Sequence, residues 1–164
     1  MNTTMGEYAT GAYLKLILEC DVVDYNVRPP GGGLEGLAEF DVVGLRFTDS
    51  TAFMCEVTTH LHGVSHARGN RQMVESITSK HMRQQQYAEK HLHHFDSVRF
   101  MYWAPVVSRG YITEQLAQID SLELVINGAY KQRIEELRTL AKQTAHDTGN
   151  PFFRTLQILE RLRD

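Results

Sequence analysis

The sequence predicts an α/β fold: a mixed β-sheet flanked by helices, in one domain over residues 1–164. Three observations predict it. Three valine-bearing runs, at 21–27, 39–47 and 51–59, follow one another as a strand meander does. A long polar helical stretch at 70–95 separates them from a strongly apolar run at 98–107. The order helix, three strands, helix, strand, then a further α/β segment is that of a sandwich around a mixed sheet. At 164 residues, 42% hydrophobic and 23% charged, the chain is sized for one ordinary globular core.

Each element has its own signal. Residues 7–20 read as a helix whose apolar stripe is Tyr8, Ala12, Leu16 and Ile17. The strand at 21–27 ends at Pro29-Pro30-Gly31-Gly32-Gly33, a loop because proline withholds a ladder donor and glycine permits positive φ. That loop lacks the Gly-Lys-Ser/Thr ending of a phosphate-binding loop and the dinucleotide spacing. Thr48-Asp49-Ser50 turns the chain between 39–47 and 51–59. In the latter strand Phe53, Cys55 and Val57 share one face, and Met54, Glu56 and Thr58 the other. Residues 63–69 form a loop. The helix at 70–95 points Met73, Ile77, Gln84, Ala88 and Leu92 inward. After 98–107 come a short helix at 112–119, a short strand at 122–126 and an amphipathic helix at 129–146 carrying Ile134, Leu137 and Ala141 on one side. Gly149-Asn150-Pro151 breaks the chain before a last helix at 152–162.

Charge is distributed unevenly. Residues 1–67 hold three Lys/Arg against nine Asp/Glu, and 68–99 hold six against three, while 100–164 balance at eight each. A net charge of −3 argues against a general nucleic-acid coat protein. The acidic front and the basic helical segment behind it suit a metal site beside a phosphate-binding surface. No apolar run reaches the roughly 18 residues of a membrane span, and the N-terminus shows no signal-peptide pattern. Cys20 and Cys55 lie in apolar contexts and lack zinc-site spacing, so buried reduced thiols in a cytoplasmic protein are expected.

Asp41 and Glu56 stand on consecutive strands joined by a short turn. Matched side chains of an antiparallel pair lie about 5 Å apart. Two carboxylates at that distance repel, and a hard cation with a preference for oxygen, Mg²⁺ or Mn²⁺, resolves the repulsion. His60 and His62 follow the strand directly and are candidates for phosphate contact or proton donation. His91, His93 and His94 complement the helix dipole at its C-terminal end.

Glu7 opening the first helix, Asn26-Val27-Arg28, Glu39-Phe40-Asp41 and Cys55-Glu56-Val57-Thr58-Thr59 follow in order. In that order they resemble the PD-(D/E)XK nuclease superfamily, and within it the small Holliday-junction-resolvase-like members. The resemblance covers about residues 6–105, with 106–164 an appended segment. It implies a restriction-endonuclease-like sandwich and hydrolysis of DNA phosphodiester bonds by a metal-activated water. It implies Asp41, Glu56, the Val57 carbonyl and Glu7 as ligands of Mg²⁺ or Mn²⁺, with Glu39 behind them. The chain departs from the family at Thr58, where a lysine usually stands. Either a group on the following helix replaces it, Lys80 first, with Arg71 and Gln72 as alternatives, or the chain is an inactive relative that binds nucleic acid or assembles with a protein. Arg68, Arg71, Gln72, Arg83 and His60 are the residues expected along DNA, branched or single-stranded. A homodimer or larger complex is expected by the same resemblance, and no membrane partner.

Overall fold

Three antiparallel strands begin the sheet: β1 (Val22–Val27), β2 (Phe40–Arg46) and β3 (Thr51–Val57). The computed structural model describes residues 2–29, 39–61 and 69–163. Tyr25 pairs with Val42, and Val42 with Cys55. The β2–β3 turn closes through Ser50, which adopts φ 53° and donates its N–H to the Phe47 carbonyl at 3.3 Å. After β3 the chain passes through α2 (Asn70–His91) and returns as β4 (Ser97–Ala104), parallel to β3. A second crossover, α3 (Tyr111–Ala117), leads to β5 (Leu122–Ile126), parallel to β4. The result is a mixed five-stranded sheet in sequential order β1-β2-β3-β4-β5.

The period-2 alternation of β3 sorts its side chains between two cores. Phe53 and Cys55, with Met101, Trp103 and Val125, pack against α1 (Met5–Leu16), α4 (Asn127–Gln143) and α5 (Pro151–Arg161) through Tyr13, Leu14, Leu137, Ala141 and Phe153. On the opposite face Met54, Phe100 and Tyr102 meet α2 and α3 through Met73, Ile77, Ala88, Ile112 and Leu116. The segment beyond residue 105 thus supplies a sheet strand and two helices of the main core. Asn150 locks it to the front of the chain: its Oδ1 accepts from Phe153 N at 3.0 Å, capping α5, and its Nδ2 donates to the Tyr8 carbonyl at 2.9 Å.

Several expectations shift. The first helix ends at Leu16, not near 20, and begins at Met5 with Thr4 as its N-cap. Its buried face is Ala9, Ala12, Tyr13 and Leu14, while Tyr8, Leu16 and Ile17 are only half-buried. The sheet covers α1 on one side and α5 on another, so a single stripe does not describe it. β3 stops at Val57, two residues short of the predicted strand. On α2, Leu92 is the C-cap, and His81 joins the buried residues that sequence periodicity named. Among the described residues no helix is long and apolar enough to cross a membrane.

Candidate metal centre

The pairing of β2 with β3 ends at Val42 and Cys55. Beyond it the Asp41 side chain replaces the ladder: its Oδ2 accepts the Val57 N–H at 2.7 Å. This bond fixes the carboxylate beside the end of β3. Glu56 lies one residue before Val57, on the face turned to α2, and is 7% exposed. Lys80, midway along α2, forms an ion pair and hydrogen bond from Nζ to Glu56 Oε1.

Glu7 enters from α1. Its N–H donates to Thr4 Oγ1 at 3.3 Å, and its Oε2 accepts the Thr4 N–H at 2.8 Å, a reciprocal capping box. Gly6 makes this approach possible. A Cβ at Gly6 would collide with the Thr59 methyl and stand 3.2 Å from Val57 Cγ1. The absence of a side chain there lets α1 sit against the end of β3 and carry Glu7, 8% exposed, toward the other carboxylates.

Electrostatics bind these residues into one group. The Asp41 carboxyl is pushed up to about 7, chiefly by burial and next by the Glu56 charge. The Val57 N–H and Lys80 act in the opposite direction, and Glu7 adds to the rise. Burial also raises Glu56; the charge and hydrogen bond of Lys80 and the charge of Arg83 lower it, and Glu7 adds to the rise. Three carboxylates therefore share a partly desolvated field with one ammonium in contact. Such a group gains from more positive charge, and its donors are hard oxygens of the kind Mg²⁺ and Mn²⁺ take. Among the described residues no three His, Cys, Asp or Glu side chains already stand as a metal-holding group. Asp41 and Glu56 are instead engaged by Val57 and Lys80.

The other expected site residues separate into two sets. Arg83 is exposed one turn beyond Lys80 and reaches Glu56 through its charge. Thr58 follows the end of β3; its N–H donates to the Trp103 carbonyl at 2.8 Å, and its side chain lies near the Tyr102 phenol. Arg71 pairs with Glu75 at 2.9 Å on the exposed side of α2, and Gln72 is exposed beside it. His60 is exposed past the end of β3, and Arg68 and His62 lie outside the described residues. Glu39 faces Arg28 at 3.6 Å. The two cysteines are free and buried, and burial raises both thiols, Cys20 to about 11.

Two residues escaped the sequence reading of this site. Tyr102, 1% exposed, pairs in register with Glu56 from β4, hidden in sequence within an apolar run. Gln84, four residues after Lys80 and 2% exposed, keeps a buried Nε2 that finds no hydrogen-bond partner among the described residues. Its i+4 spacing from Lys80 is the signal that assigns it to the same face. Comparison with protein-family models, curated proteins and solved structures gave no match.

Proposed function

We propose that the chain is a metal-dependent nuclease with a restriction-endonuclease-like sandwich, hydrolysing DNA phosphodiester bonds. One observation carries the reading: Lys80 of α2 meets Glu56 of β3 beside Asp41 and Glu7. The positive charge missing at Thr58 is thereby supplied from the helix.

In this reading Asp41, Glu56 and the Val57 carbonyl hold Mg²⁺ or Mn²⁺, with Glu7 at the rim. When bound, such an ion would supply Lewis acidity toward a phosphoryl oxygen and a lowered pKa for an attacking water. Lys80 does the work of a mobile counter-charge, orienting the water and offsetting charge that develops on the phosphate. Asp41, with a carboxyl near 7, gives up a proton when it ligates, so function weakens as pH falls below that value. The buried free thiols support a cytoplasmic setting.

The Lys80–Glu56 pair also supports a second reading, in which Lys80 is a permanent substitute for the cation and the chain is an inactive binding or assembly module. Incubation of the pure protein with Mg²⁺ or Mn²⁺ and single-stranded, duplex or branched DNA separates the two. Metal-dependent cleavage lost in Asp41→Asn is the expected result. Intact DNA of every kind under both metals favours the module.

A further inference from the structure

Lys80 is not alone on its side of α2. Arg83, Tyr87 and His91 follow it at spacings of three, four and four residues, which place them along one line of the helix. The Tyr87 and His91 rings stand 4.6 Å apart at 37°, and both are half-exposed. Tyr87 leans in turn on Phe40, at 4.7 Å and 59°. Phe40 is buried and immediately precedes Asp41 in β2. A ladder of rings therefore runs from the residue beside a site carboxylate out along the helix. Tyr87 lies about 10 Å beyond Lys80 by helix rise.

We propose that this line is the track of a single-stranded nucleic acid, with a phosphate on Arg83 and unpaired bases stacked on Tyr87 and His91. The proposal rests on the nuclease reading of the site and names its substrate class. A surface that takes duplex DNA by its backbone requires cations and no exposed rings, because duplex bases are already stacked. Unpaired bases present π-faces, and aromatic side chains beside a basic row are what they bind. Exposed Lys90 extends the positive charge past the rings.

The test is fluorescence anisotropy in EDTA, where metal-dependent cleavage is off, with labelled oligo-deoxythymidine and a blunt duplex of equal length. Oligo-deoxythymidine is expected to bind more tightly than the duplex. Tyr87→Ala should weaken oligomer binding by about tenfold or more, the usual consequence of losing one stacked base. Tyr87→Phe should restore it, and His91→Ala, which touches no core, should weaken it severalfold. Oligomer binding unchanged in both Tyr87→Ala and His91→Ala, or tighter binding of the duplex, overturns the proposal. Ring-dependent binding without cleavage would leave the track and remove the nuclease; cleavage without ring dependence would do the reverse.

Discussion

Lys80 Nζ on α2 and Glu56 Oε1 on β3 form an ion pair across the sheet–helix interface, with Glu56 almost fully buried. The pair links two segments that are 24 residues apart in sequence. It offsets part of the burial that raises the Glu56 carboxyl.

Removing the ammonium exposes that cost. Lys80→Ala leaves Glu56 and Asp41 facing each other without a cation in contact. The variant is expected to lose about 1–2 kcal/mol near pH 8, a figure discounted for the partial exposure of Lys80. The loss should shrink near pH 5, where the carboxyls take up protons. Lys80→Arg should retain stability. Thermal melting at the two pH values checks it, and an equal loss at both would show that the pair is not an electrostatic one. Cleavage by Lys80→Ala should fall at least a hundredfold, in line with loss of a transition-state donor.

Asp41 carries the opposite sign. Its carboxyl is at about 7 in the fold, against roughly 3.9 for an unfolded aspartate. Between those values the folded chain holds a proton that the unfolded chain releases, so stability falls as pH rises through this window. Asp41→Asn keeps an oxygen for the Val57 N–H and removes the titration. It should be more stable than wild type near pH 8 by ~2 kcal/mol, with a flatter stability–pH curve, while abolishing cleavage. Urea unfolding across pH measures both features.

Gly6 and Gly128 make a paired prediction. Gly6→Ala collides with Thr59 and crowds Val57, at the edge of the site, and should cost about 1–3 kcal/mol and lower activity. Gly128, in α4, has open space around its Cβ position, and Gly128→Ala should stabilise by ~0.5 kcal/mol with activity unchanged. Denaturant midpoints decide the pair.

His81 supplies an acid-side device. It is buried against Phe100, its ring centroid 5.1 Å away, and its Nε2 contacts the Asp120 carbonyl at 3.0 Å. Burial holds its pKa below the usual imidazole value, more than the Asp120 contact raises it. Stability from the neutral ring is complete above the unfolded value of about 6.5 and is lost as pH falls toward the depressed one. His81→Leu should therefore unfold less steeply on acidification. An unaltered acid limb in a melting series would assign that limb to other groups.

Much of the fold was legible because it follows local periodicity. The alternation through Phe53, Met54 and Cys55 assigned both faces of β3, and Met73, Ile77, Gln84 and Ala88 assigned the inner face of α2. α1 was misread because it is covered from more than one side, which erases a single stripe. At the site, the order of Glu7, Asp41 and Glu56 and the candidacy of Lys80 were readable. The Asp41 bond to the Val57 N–H was not, since it depends on where the β2–β3 ladder stops. Nor was the pairing of Glu56 with Tyr102, which joins two strands whose relative register is set by a helix crossover between them.

The proposed function requires Asp41 and Glu56 to form a divalent-cation site from which Lys80 is displaced. A crystal structure of the protein grown with Mn²⁺, read through its anomalous difference density, tests this most directly. A peak bridging the Asp41 and Glu56 carboxylates is expected, with Lys80 Nζ moved off Glu56. Lys80 still paired with Glu56, and no anomalous peak between the two carboxylates, would contradict it.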